Sequence, residues 1–266
     1  MEDSKKSGRD TLWKILVCVA LLVFLVSGGL TLHSYLADKR AQEEYERLAR
    51  EAAQTTQETI TIEETEKQEL ETEPEKEEYQ SPYDFDTLKK ENPDTIGWIH
   101  IPDTKISYPI VQGTDNDFYL KHDFNGEASV AGSIYLDYES EGDFEGRNNI
   151  LYGHNMKNGS MFGQLKKYGK EDFYKEHPCF YLYTKDGVWQ YDIFSVRVVD
   201  ELSDSYTMTF ASTDAYRSYL DQAVRKSMYD TTATADVTDS IITLSTCTSK
   251  DTDRLIVQAV KGEQIR

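Results

Sequence analysis

Cys247 closes the run Ile241-Ile242-Thr243-Leu244-Ser245-Thr246-Cys247, an apolar, β-branched segment that ends in hydroxyls and then a thiol. The end of a strand is where a rigid scaffold presents a side chain to a cleft. Arg254 follows seven residues later at the head of the next strand-like run, with the polar turn Thr248 to Asp253 between them. If the two runs are neighbours, thiol and guanidinium lie side by side at one rim. There the cation supports a thiolate and holds a developing oxyanion. A buried structural cysteine beside a surface arginine is the plainer alternative for these two residues alone. His154 weighs against it. It lies in Leu151-Tyr152-Gly153-His154-Asn155-Met156, just past another strand-like run, and Gly153 relaxes the backbone before it. Imidazole exchanges protons near neutral pH without a large pKa shift. A cysteine nucleophile needs such a partner to protect its thiolate and to protonate a leaving amine. His154 and Cys247 are 93 residues apart, so only folding can join them.

The other candidates are weaker. His100, His122 and His177 lack comparable surroundings and read as structural or surface residues. Cys179 begins an aromatic strand and suits partly buried packing, while Cys18 lies inside an apolar run near the N-terminus. Three cysteines make no disulfide framework. His177 and Cys179 have no second pair at ligand spacing, and structural zinc needs about four ligands. With no glycine-rich phosphate loop and no serine-centred nucleophile elbow, neither a metal nor a cofactor is implied.

The elements that must position these residues are mostly strands. Residues 96–101, 106–111, 133–136, 149–152, 180–184, 188–199, 241–245 and 255–260 read as strands, with Lys185-Asp186-Gly187 as the strongest hairpin signal. Helices are few: a short one over 84–90 and a longer one over 213–228, N-capped by Ser212 or Thr213, with Tyr216, Tyr219, Leu220, Ala223 and Val224 on one face. Roughly eight short strands with one late helix favour a mainly β fold closed into a barrel, with an open sandwich as the alternative.

The chain divides into unequal segments. Residues 1–14 form a short tail holding Lys5, Lys6, Arg9 and Lys14, and 15–36 hold an apolar run that reaches the roughly 20 residues needed to cross a bilayer. We expect a single uncleaved transmembrane anchor with a cytoplasmic N-terminus; the rival is a cleaved signal peptide, for which no convincing small-x-small site follows Leu30. Residues 37–80 read as an acidic stalk: from residue 38 they hold 15 acidic and 6 basic side chains and neither Trp, Phe nor Cys. Their first part is rich in helix formers, and the Thr/Glu-rich remainder cannot bury enough apolar surface to fold alone. A docking site for a basic partner is the alternative use of that charge. Residues 81–266 are the compact domain. The formal charge of −19, from 48 acidic and 29 basic residues, argues against a nucleic-acid partner.

Thr243-Leu244-Ser245-Thr246-Cys247 followed by Arg254, with Tyr152-Gly153-His154-Asn155-Met156 upstream, closely resembles the class B sortases of Gram-positive bacteria. The resemblance extends through Asn92 to Ile99, Tyr108 to Gln112 and Gly132 to Asp137, and so covers essentially all of 81–266. It implies a closed eight-stranded β-barrel and a membrane-anchored cysteine transpeptidase on the extracellular face. Such enzymes cut a C-terminal sorting motif in secreted proteins, hold the acyl part as a thioester, and pass it to an amine of peptidoglycan or its lipid-linked precursor. By motif matching Cys247 is the nucleophile, His154 the general acid/base and Arg254 the oxyanion or substrate-backbone donor. Leu244, Ser245, Thr246 and Asn155 are then expected to bind substrate. One departure stands out: where many class B members place an acidic residue directly after the cysteine, this chain has Thr248, with Asp251 and Asp253 the nearby carboxylates. A tethered peptidase that hydrolyses without transfer, and a catalytically silent wall-binding module, are the competing functions.

Overall fold

The computed structural model describes residues 13–14, 16–29, 31–32, 35–36, 39–40, 42–48, 50, 79, 81–250 and 252–265. Eight strands carry the fold: β1 (Thr95–His100), β2 (Ser107–Val111), β3 (Ile134–Leu136), β4 (Asn148–Tyr152), β5 (Cys179–Thr184), β6 (Gly187–Asp200), β7 (Ile241–Cys247) and β8 (Asp253–Gln264). They pair in the order β1-β2-β3-β4-β7-β8-β6-β5, and β5 returns to β1, so the sheet closes into a barrel rather than a sandwich. The pairings β2–β3 and β4–β7 are parallel and therefore need connections longer than a hairpin. Strand alternation sends Ile99, Ile110, Leu151, Ile242, Leu244 and Val257 into the barrel, where all are fully buried.

The β5–β6 hairpin forms where Asp186-Gly187 predicts it, but by a different route. Thr184 pairs with Gly187, so Lys185 and Asp186 form the loop, and the positive-φ residues among those described lie elsewhere. The Asp186 N–H donates to Thr184 Oγ1 at 3.1 Å, and the left-handed glycine that Asp-Gly turns usually exploit is not used.

Among the described residues from 81 onward, four helices accompany the strands: α1 (Phe85–Glu91), α2 (Phe118–Lys121), α3 (Glu171–Glu176) and α4 (Thr213–Arg225). α2 and α3 are too short to leave a periodic signal in the sequence. Ser212 caps α4 by accepting from the Ala215 N–H at 3.1 Å. Its Tyr216, Leu220 and Ala223 pack with Phe194, Ile241 and Val260 on the outer face of the barrel wall. α4 stops at Arg225 rather than at the expected Met228, because the Met228 N–H donates instead to Val196 O of β6 at 2.8 Å.

Residues 42–48, expected in the solvated stalk, are helical and lie on the barrel. Tyr45 and Leu48 are 4% and 2% exposed and belong to the main core. Tyr45 Oη donates to Gly132 O at 2.8 Å, and its ring meets Tyr108 edge-on at 5.2 Å. Beside them Glu44 accepts from Arg47 and from Asn125 Nδ2, and the Arg47 bond draws its carboxyl below the usual range. Further upstream, residues 16–29 are helical and carry exposed Leu16, Phe24 and Leu25. Among the described residues no helix is long and apolar enough to cross a membrane. Residues 1–12 of the expected tail and 51–78 of the expected stalk lie outside the described residues.

Candidate active site

The parallel pairing of β4 with β7 decides where His154 goes. Asn148 pairs with Ile241 and Tyr152 with Ser245, each residue meeting the one 93 positions later. The pairing continues past the end of β4 by other means. The Gly153 N–H donates to Ser245 O at 3.2 Å, Thr246 Oγ1 donates to Gly153 O at 2.7 Å, and Asn155 Nδ2 donates to Cys247 O at 2.8 Å. Carried two residues beyond Tyr152, the same register sets His154 level with Cys247. On the other side of β7, Cys247 pairs directly with Arg254 of β8, so the three predicted residues form one row across adjacent strands. Alternation puts this row on the outer face of the wall. Ile242 and Leu244 occupy the interior, and Thr243, Ser245 and Cys247 face outward. Cys247 is exposed.

A glycine is required at 153 because Ile134 and Phe162 close in on its backbone. A Cβ on it would lie 2.4 Å from Ile134 Cδ1 and 2.7 Å from Phe162 Cδ2, both on fully buried side chains. The backbone of His154 accepts from the Phe162 N–H at 3.0 Å, and its Nε2 lies 2.8 Å from Leu120 O. A carbonyl only accepts, so this contact puts the proton on Nε2 and leaves Nδ1 as the nitrogen able to exchange one.

Arg254 is held on its far side. Its Nη2 donates to the Glu201 carboxylate in a short ion pair, and its Nη1 donates to Asp253 O at 3.2 Å. Asp253 turns to Lys250, which lowers its carboxyl pKa. The carboxylate beside Arg254 is therefore Glu201 at the end of β6, which sequence spacing did not single out.

Tyrosines line the row. Tyr206 Oη lies 2.8 Å from Ser245 Oγ, and its ring is nearly parallel to that of Tyr152 at 6.4 Å. Burial raises the Tyr206 pKa, and the charges of Arg254, Cys247 and Glu201 all act on the same phenol. Tyr152 Oη donates to Asp137 Oδ2 at 2.9 Å, and burial and this carboxylate keep the phenol protonated. A buried polar layer places Tyr206. Asn148 Nδ2 donates to Thr207 O at 3.0 Å and to Ser205 O at 3.3 Å, and Tyr219 Oη donates to Ser205 O at 2.8 Å. Beneath it Gln258 bridges Arg197, Thr243 and Tyr219.

Of the residues expected to bind substrate, Ser245 and Asn155 lie at the row, engaged with Tyr206 and Cys247 O, while Thr246 is buried beside it and donates to Gly153 O. Leu244 does not. It is fully buried in the barrel, because one residue along a strand reverses the face. Cys179 is half-buried at the start of β5, and burial pushes its thiol pKa up. Among the described residues no group of three or more His, Cys, Asp or Glu side chains could hold a metal.

A family model described as Sortase domain matches residues 99–261. The chain is 41% identical to Sortase B of Listeria monocytogenes over 176 residues, covering 64% of this chain and 71% of that protein. It is 32% identical to Sortase B of Staphylococcus aureus over 253 residues, covering 94% of this chain and 95% of that one. Among solved structures, the Staphylococcus aureus sortase B–substrate complex superposes with a TM-score of 0.73 at 30% identity, covering 87% of this chain and 100% of that chain.

Proposed function

This chain belongs to the sortase family and is a class B, sortase-type cysteine transpeptidase; from that premise we propose that it cleaves a C-terminal sorting motif of secreted proteins and attaches them to a peptidoglycan amine. The observation that carries the assignment of roles is the register across β4, β7 and β8, which sets His154 and Arg254 on either side of Cys247. Cys247 gives its thiol proton to His154 Nδ1, its Sγ attacks the scissile carbonyl carbon, and the carbonyl electrons move onto oxygen. Arg254, one strand away, donates to that oxyanion. The C–N bond then breaks, the leaving amine takes a proton from His154, and a thioester remains on Cys247. An incoming amine attacks the thioester carbon, His154 takes up its proton, and Cys247 Sγ departs. Ser245, Thr246 and Asn155 shape the row, and Tyr152 and Tyr206 offer an aromatic wall to an extended peptide.

The amine acceptor is peptidoglycan or its lipid-linked precursor. We place the protein in the cell membrane, anchored by residues 15–36, with its N-terminus cytoplasmic and residues 81–266 outside. The support is the apolar run from Ile15 to Leu30 and the basic residues before it.

The test is cleavage of a peptide carrying a Thr-Asn or Thr-Gly junction, with and without an added amine. The intact chain should divert the acyl group into a new amide, and Cys247→Ala should form neither amide nor acid. Hydrolysis unaffected by any amine would instead favour a simple peptidase, and full activity of Cys247→Ala would remove Cys247 as the nucleophile.

A further inference from the structure

We propose that Glu201 is the positioning residue for Arg254, holding the guanidinium in the plane from which it meets the substrate's oxyanion. This rests on the role given to Arg254 above. Arg254 stands second in β8, directly after the polar turn that follows Cys247. An arginine side chain has many rotamers, and an orienting partner on one edge of its planar fork fixes the direction of the rest.

Four features make Glu201 that partner. Val199 of β6 pairs with Arg254, which pairs in turn with Cys247 of β7, so Arg254 is the middle residue of a three-strand row. The Glu201 N–H donates to Thr252 O at 2.9 Å, which extends the β6–β8 ladder one step beyond Asp200 and Asp253 and ties the Glu201 backbone to the turn before Arg254. The Glu201 carboxylate accepts from Arg254 Nη2, while Nη1 donates to Asp253 O. Tyr206 feels the charges of Glu201, Arg254 and Cys247 together, which places all three around one phenol. The pair is partly exposed, with side-chain accessibilities of 21% for Arg254 and 42% for Glu201. Exposed pairs add little to folding stability. Glu201 therefore acts on the geometry of the reaction rather than on the fold.

The experiment uses the full chain in detergent with the same junction peptide, comparing Glu201→Gln, Glu201→Asp, Arg254→Ala and the double variant Glu201→Gln/Arg254→Ala. Loss of Arg254 should lower kcat roughly 100-fold or more, as for removal of an oxyanion donor. Glu201→Gln should lower kcat about tenfold, the effect of replacing a charge-assisted hydrogen bond with a neutral one, with KM within about twofold. Glu201→Asp should recover part of the loss, the double variant should be no slower than Arg254→Ala, and the melting temperature should be unchanged throughout. Glu201→Gln as fast as the unaltered chain or faster, or losses that multiply in the double variant, would overturn the proposal while Arg254→Ala remained slow. An Arg254→Ala chain with full activity would overturn the role of Arg254 itself, and the proposal with it.

Discussion

Gly153→Ala isolates the link between packing and the placement of His154. The new Cβ would lie 2.4 Å from Ile134 Cδ1, 2.7 Å from Phe162 Cδ2 and 2.8 Å from Phe162 Cγ. Carbon atoms in contact rest at about 3.5–4.0 Å, so about an ångström of overlap must be relieved on two sides. Neither neighbour has room, since Ile134 and Phe162 are both fully buried. The backbone of Gly153 must move instead, and with it its bonds to Ser245 O and Thr246 Oγ1. Overpacking of this kind costs about 1–3 kcal/mol. In a domain of this size each kcal/mol lowers Tm by about 2–4 °C. Because the Gly153 bonds hold the register that sets His154 level with Cys247, kcat should fall by more than stability alone explains: about 100-fold, at a temperature where the variant is fully folded. Thermal melting and peptide cleavage read the two effects separately. Ile134→Val in the same chain removes Cδ1 and should return part of both losses, although alone it costs about 0.5–1.5 kcal/mol. A Gly153→Ala chain that melts and turns over like the unaltered one would refute the claim that close approach at Gly153 places the histidine.

The docked N-terminal helix should be measurable as stability: Leu48→Ala empties a core position and should cost about 2–5 kcal/mol, whereas an unchanged Tm would mean the helix does not pack on the barrel. Asn148→Leu takes away the partners of Thr207 O and of the Thr243 hydroxyl proton, at about 1–3 kcal/mol for each left unsatisfied, while Ser205 O keeps Tyr219 Oη. It should also expose 201–212 to limited proteolysis, and equal resistance to cleavage would count against Asn148 as the clamp. Iodoacetamide should alkylate exposed Cys247 before half-buried Cys179, whose thiol burial holds in the protonated form to higher pH. Faster labelling of Cys179 would invert that order.

The strands were legible because β-branched runs such as Ile241 to Leu244 and Leu255 to Val260 are fully committed to the interior or to a covered wall, and such runs read clearly. The order in which they close was not, since parallel pairings such as β4 with β7 join segments far apart in the chain. Cys247, His154 and Arg254 were legible as residue types next to strand ends. Glu201 was not: it belongs to a turn, and only the β6–β8 register brings it to Arg254. Tyr206 was hidden for the same reason, because its place depends on Asn148 and Tyr219 gripping the backbone on either side. Leu244 is near the cysteine in sequence, yet strand alternation turns it into the barrel. Tyr45 and Leu48 did leave a signal, an apolar pair three apart in a charged helix, but the average polarity of the segment masked it.

That docked pair alters how the enzyme meets its reactants. A free tether of some 40 residues would let the barrel sweep a deep shell above the bilayer, diluting it with respect to anything held at the surface. With Tyr45 and Leu48 seated in the barrel core, only six residue-to-residue steps, from Leu36 to Gln42, separate the proposed anchor from the docked helix. Their contour is roughly 20 Å at about 3.3 Å per residue. On the proposed anchoring, the catalytic row is confined to a thin layer next to the membrane with limited freedom to tumble. Its encounters with membrane-borne acceptors become a lateral search in two dimensions, in which effective concentration is set by tether geometry rather than by bulk amount.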